Sequence, residues 1–380
     1  MYAVSNRWAT AQESFLAPEG LIEISCYVPA LQNTLVYTKK DLLKFTHQQT
    51  GSLVAGELPK NHIEFSLDNS DGKWNPSNPH GLERYLAERL KVTLRYGYII
   101  DGIENWIPGG VFYLSEWRTS PNGLEVSFAA RDLLEYMIDT MYTGEVSGTL
   151  YDIVQRAIAE ANVPATAVLG QIVLGKTVLG VVSVSEKLKK YTVGDIDYKG
   201  NESIAVILQK CANAAGCVLY QGRSGIFSIH ELSYKGTGYS IPKRLAYAYP
   251  EIEFLRPIKE VSVAHQDNAV TVYKLNNAGE TQTVNNEFIK SKDQAYEIAK
   301  WAGDILRSRQ KISGDFRGDP RFDIFDVVDV ESKYGTINSV VLTDIKCTFT
   351  GAFRIAYSGY IIGDEIVSAY CGEVFAGEVV

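Results

Sequence analysis

The sequence has no apolar run near the ~20 residues needed to cross a bilayer. Its opening, MYAVSNRWATAQESF, lacks the basic start and apolar stretch of an export signal. These absences leave no candidate membrane-spanning helix. They lead to the expectation of a protein made in the cytosol that does not leave by the standard export route. Positive charge is also short: 37 Lys and Arg face 45 Asp and Glu, a net −8, so a broad basic surface for wrapping nucleic acid is not expected. The five cysteines, Cys26, Cys211, Cys217, Cys347 and Cys371, are odd in number and scattered, which is no disulfide framework. Only Cys211 and Cys217 lie close. Their spacing is not CxxC and no histidine stands nearby, so buried thiols in a reducing compartment are expected rather than a metal site.

Catalytic patterns are equally thin. His47, His62, His80, His230 and His265 are isolated, without HExxH or HxH spacing, and no Ser occupies a GxSxG elbow. Gly170–Thr177, GQIVLGKT, fits the phosphate-loop pattern letter for letter. Its bridge is Gln-Ile-Val-Leu, however, which would put branched side chains where a phosphate sits. The sequel TVLGVVSVS has the pattern of a strand, not the helix whose N-terminus such a site needs. The Arg-Gly-Asp inside FRGDP (Phe316–Pro320) is better explained as a turn entering a strand. Asp315, Asp319, Asp323, Asp326 and Asp329 lack the short period of a calcium loop. Glu104 and Glu116 could be imagined as a glycosidase pair, but with forty-five acidic residues such positions are always available. No catalytic, metal or cofactor residue is assigned.

What is present is an ordinary globular composition, 46% hydrophobic and 22% charged, with 23 tyrosines and 32 glycines, which favours strands over helices. At 380 residues, two or three domains are expected. Residues 1–148 alternate as short strands: GLIEISCYV, HIEFSLD, KVTLRYGYII, GVFYLSEWR and GLEVSFAARD. Pro121–Gly123 marks a hairpin, and short helices are predicted at GLERYLAERL and DLLEYMI. From Thr149 the period changes. Thr149 with Asp152 three residues on is a capping pair before Leu150, Ile153, Val154, Ala157, Ile158 and Ala161. A second helix covers ESIAVILQKCANAAG with Gly216 as its left-handed cap, followed by a hairpin turning at Gly222–Gly225. Residues 149–245 therefore form a smaller α/β module. Strands return over 246–362, interrupted by a helix that Ser291 caps with Gln294 as reciprocal partner. Residues 363–380 show no clear element and are expected to be a mobile or partner-docked tail.

FSLDNSDGKWNPSNPHG, Phe65–Gly81, is the densest run of turn-forming residues. Counted from Asp68 as a calcium loop it puts Gly72 at position five, Lys73 at six and Pro79 at twelve, where an oxygen ligand, glycine and glutamate are needed. The residues instead suit a structural loop: Asp68, Asn69, Asp71 and Gly72 form the turn, Trp74 anchors it, and Pro76 with Pro79 keeps the chain extended.

This loop, with LKVTLRYGY, IPGGVFYLSEW and VSFAARDLLEYM after it, resembles the start of bacteriophage baseplate-hub and tail-tip proteins. TLYDIVQRAIAEANVP, ESIAVILQKCANAAGCVLYQGRSGIFSIHEL and GDPRFDIFDVVDVESK continue the resemblance, which spans roughly residues 10 to 362. It implies an α+β, mainly β fold in which two tail-tube-like β-barrels are joined by a smaller α/β module, assembled as a homotrimer. Three chains with two similar barrels each would match a six-fold ring above and a three-fold device below. The implied partners are further copies of itself, the tail tube or distal tail protein, the tape-measure protein and a tip or spike protein, with DNA only in passage. The implied location is the virion tail tip, with assembly in the host cytoplasm. Relatives often carry a wall hydrolase, peptidase or receptor-binding region after the hub; here only GDEIVSAYCGEVFAGEVV follows Ile362, so no lytic activity is expected. The alternatives are a tail-associated cell-wall hydrolase, or a carbohydrate-binding module using Trp74, Trp106 and Trp117. The acidic excess suggests a channel wall along which DNA slides, with Asp323, Asp326 and Asp329 as candidate lining.

Overall fold

The computed structural model describes residues 1–362 apart from 15, 162–181, 195, 197–199, 235, 237 and 267–268. The phosphate-loop match at Gly170–Thr177, Cys371 and the segment 363–380 lie outside the described residues.

A helix, α1 (Asn6–Glu13), precedes seven strands: β1 (Glu19–Val28), β2 (Asn33–Thr38), β3 (Leu42–Thr50), β4 (Lys60–Asp68), β5 (Lys91–Ile100), β6 (Ile103–Thr119) and β7 (Glu125–Arg131). Period-two alternation sets their faces: β3 buries Phe45, His47 and Gln49 and turns Lys44, Thr46 and Gln48 outwards. The β6–β7 hairpin turns at Gly123 (φ +72°), whose N–H donates to Ser120 O at 2.8 Å. Only glycine enters that left-handed region without strain.

Next come α2 (Leu150–Glu160), β8 (Val182–Val184), α3 (Ile204–Ala214), β9 (Val218–Gln221) and β10 (Phe227–His230). The capping pair forms as expected: Asp152 N–H donates to Thr149 Oγ1 at 3.2 Å, and Thr149 N–H to Asp152 Oδ2 at 2.9 Å. The last part holds β11 (Ser240–Ile241), β12 (Glu251–Phe254), β13 (Ile258–Ala264), β14 (Val270–Lys274), β15 (Glu280–Val284), α4 (Lys292–Leu306), β16 (Gln310–Arg317), β17 (Val327–Glu331), β18 (Thr336–Phe349) and β19 (Phe353–Ile361). Ser291 caps α4, but Gln294 Oε1 accepts from Lys290 N–H at 3.0 Å rather than from Ser291.

Thirteen strands make one sheet, in the order β12-β16-β19-β18-β3-β4-β7-β6-β5-β1-β2, with β17 on β18 and β11 on β17. The joint between the two ends of the chain is β18 on β3, antiparallel from Asp344↔Thr50 to Phe349↔Phe45. Smaller sheets are β8-β10-β9 and β14-β13-β15. The chain is thus mainly β, as expected. The large sheet curls until Gly20 of β1 lies against Phe349 and Phe353, yet among the described residues no ladder joins β2 to β12, so hydrogen bonds close no barrel.

Two hydrophobic cores cross the expected boundaries at 148/149 and 245/246. One gathers side chains from Trp8 to Ala130 and from Ile305 to Ile361, with Val218, Tyr239, Ile241 and Leu245 between them. The other runs from Leu133 to Ile229 and from Val261 to Ala302, with Ala55 reaching in from the β3–β4 connection. Pairing between strands some 300 residues apart leaves no local mark, which is why the consecutive segments 1–148, 149–245 and 246–362 do not coincide with the cores.

The predicted helix at GLERYLAERL is a single 3₁₀ turn, Glu83–Tyr85. Arg84 turns its guanidinium back to Gly81 O (3.1 Å) and Asn78 O (3.3 Å), tying the segment to the preceding loop. DLLEYMI likewise makes only a 3₁₀ turn, Leu133–Tyr136, capped by Asp132.

Candidate functional site

The loop after β4 is a chain of successive turns. N–H groups of Gly72, Asn75, Asn78 and Gly81 each donate to the carbonyl three residues back, at 2.8–3.1 Å. Asn69 holds it to the sheet. Buried, it accepts from Trp74 N–H through Oδ1 (2.9 Å) and donates through Nδ2 to Gly123 O (2.8 Å) and Asn75 Oδ1 (3.1 Å). Asp68 accepts from Ser70 N–H and Asp71 from Lys73 N–H, while Gly72 takes φ +69°. Trp74 is buried, edge-on to Phe128 with centroids 5.3 Å apart, and Pro76 is exposed. The loop is therefore strapped down on the β6–β7 hairpin. No group of three metal-ligating side chains occurs among the described residues.

The candidate enzyme pair fails on geometry. Glu104 and Glu116 stand twelve residues apart on β6, roughly 40 Å at the rise of a strand; glycosidase carboxyls stand within about 10 Å. Trp74 is unavailable to a sugar, and Trp106 lies under Arg95, 4.9 Å from its ring centre.

The five aspartates of the FRGDP region each hold something inside the chain. Asp315 pairs with Arg354 of β19. Asp319, fully buried, takes Arg321 in a bidentate grip at 2.5–3.0 Å, so the Arg-Gly-Asp tripeptide is not displayed. Asp323 binds Arg223, which comes from the β9–β10 turn and is only 7% exposed. Arg223 gives Nε to both Asp323 oxygens (2.7 and 2.9 Å), Nη1 to Pro108 O (3.0 Å) and Nη2 to Phe322 O (2.8 Å). Asp326 pairs with the Met1 ammonium and accepts from Asp323 N–H at 2.8 Å. Asp329 accepts from Ser339 N–H at 3.0 Å. Two of the three candidate channel-lining aspartates, Asp323 and Asp326, are thus each paired within the chain.

Beneath this seam lies a buried polar pair. His47 bridges Tyr96 OH (2.7 Å) and Asn61 Oδ1 (2.9 Å), and burial lowers its pKa from 6.5 to about 4. Asp132, whose N–H donates to Asn61 O, is pushed by burial the other way, from 3.8 to about 7. The sequence offered no sign of Arg223 or His47 as special: one sits in an ordinary Gly-Arg-Ser-Gly turn, the other on an alternating strand.

No protein-family model and no curated protein matches the sequence. Among solved structures, a tail protein from Neisseria meningitidis superposes with a TM-score of 0.61 at 13% identity, over 90% of this chain and 96% of that one. A prophage tail protein from Shewanella oneidensis gives 0.56 at 12% identity, covering 90% and 97%. A prophage tail protein from Listeria monocytogenes gives 0.54 at 11% identity, covering 91% and 96%. The chain has a phage tail-protein fold. Within that tail-protein fold, the strapped loop and the Arg223–Asp323 seam are joints that fix one part of the chain on another. Among its described residues no helix is long and apolar enough to cross a membrane.

Proposed function

We propose that this chain is a structural, non-enzymatic component of a phage or prophage tail tip: a hub of three copies that caps the tail tube and connects it to a distal tip, spike or receptor-binding part. The observation that carries this is the whole-chain likeness to the Neisseria tail protein, over 90% of one and 96% of the other. The internal chemistry agrees, since the charged and polar side chains of the seam and loop are spent on joints. In this proposal the partners are the chain itself, the tube or distal tail protein, the tape-measure protein and the tip protein. DNA passes through without being gripped, which a net charge of −8 suits. The negative wall of that channel comes from exposed acids rather than from Asp323 and Asp326, whose carboxylates are neutralised inside the chain.

The test is gold-antibody labelling of this chain on intact tails in the electron microscope, with solution mass measured on the purified chain. Label at the tip and a mass of three copies are expected. Tails that carry no label overturn the proposal.

A further inference from the structure

Among the described residues three strands of the large sheet are bonded on one side only: β2, β12 and the two-residue β11, which is too short to offer much of an edge. A bare edge invites pairing with another chain, and proteins usually blunt or charge it. The two longer edges differ in charge: β12 is acidic, whereas β2 is uncharged with Lys40 just past its end. On β12, Glu251 and Glu253 face outwards, and Pro250 before them removes one N–H. β2 itself carries no charge; just past its end stand the exposed Lys40, followed by Asp41, and Lys39, which pairs with Glu19.

The faces also correspond. Ile252 sits opposite the buried Ile312 of β16, so Ile252 and Phe254 point to the core side of the sheet. They are nonetheless uncovered there, Phe254 being 69% exposed. On β2, Tyr37 is opposite the buried Ile24, so Leu35 and Tyr37 share the core side while Thr34 and half-exposed Val36 face outwards. Laid edge to edge, the two strands would continue both layers. Ile252 and Phe254 would meet Leu35 and Tyr37 on the core side, and the glutamates would lie against the uncharged outward side of β2, with Lys40 at its end.

We propose that these edges are the two halves of a head-to-tail contact between copies of this chain, β12 of one copy pairing with β2 of the next. Because the patches differ, the contact is heterologous and propagates around a ring instead of closing a dimer. Glu251 and Glu253 then act as a selector, repelling a second acidic β12 edge while admitting the uncharged β2 edge and its Lys40. The proposal rests on the hub reading for the number of copies in the ring; the identity of the edges can be tested separately.

The full chain with Cys371→Ser, Val36→Cys and either Glu251→Cys or Glu253→Cys, two outward positions that cover a two-residue slip in register, is oxidised and its covalent mass measured. Linked species of two and three chains are expected from the paired variants and none from either single variant; the four described native cysteines are buried. In parallel, Lys40→Glu and Glu253→Lys should each weaken association roughly tenfold, and the chain carrying both should recover. A chain of three-copy mass that never cross-links overturns this interface while leaving the hub intact. A chain that stays monomeric without cross-linking, or a double charge swap no better than the singles, overturns it too. Loss of tip labelling would fault the hub reading alone.

Discussion

Asn69 shows how much one buried carboxamide can hold. It ties together two ends of its own loop and the β6–β7 turn. Replacing it with alanine strands Trp74 N–H and Gly123 O, and should cost about 2–3 kcal/mol in urea unfolding. Two other buried residues should shape the pH profile in opposite senses. His47 has a folded pKa of about 4 against 6.5 unfolded, so the unfolded chain takes the proton first. Its share of stability is complete above pH 6.5 and is lost as pH falls towards 4, to a total of about 3 kcal/mol. His47→Gln should flatten that acid limb. Asp132, raised from 3.8 to about 7, contributes stability below pH 3.8 that is lost as pH rises through 7. Asp132→Asn should therefore gain stability relative to the parent at pH 8 and little at pH 4, as unfolding curves at the two pH values would show.

At the scale of elements, the joints outweigh the elements they join. Arg223 pins the β9–β10 hairpin to the large sheet through four hydrogen bonds, and a side chain at Gly225 in the same turn would press on Val111 of β6 at 3.1 Å. Arg223→Met should cost on the order of 3 kcal/mol, because it abandons a partly buried Asp323. Adding Asp323→Asn should return part of that loss, a coupling that a double-mutant cycle reads directly. Helices with caps and an apolar stripe were legible in the sequence, as α2, α3 and α4 show. So was the turn-forming character of the Asp68 loop, since its Asx turns are made between near neighbours. The helix α1 was not, because NRWATAQE buries only Trp8 and Gln12 and carries no apolar stripe. The GLERYLAERL helix was over-read because its propensity yields to Arg84's bonds with the loop. Arg223 was invisible for a different reason: its partner lies a hundred residues away.

For the whole molecule, the decisive contact is β18 on β3. A chain cut after Leu306 keeps all of the first seven strands but loses β16 to β19, and with them more than a third of the first core. It should be insoluble or lack near-ultraviolet dichroism; expression trials and thermal melts of the truncation check this. The same contact sets a clock. At about 5–20 residues per second, synthesis from β3 to β18 takes roughly 15–60 seconds, during which the edge of β3 is finished and its partner strand does not yet exist. Non-local pairing of this kind folds slowly and is exposed to aggregation. The nascent chain thus spends most of the interval between β3 and β18 with an open strand edge, and its yield should depend on how fast the ribosome delivers β16 to β19.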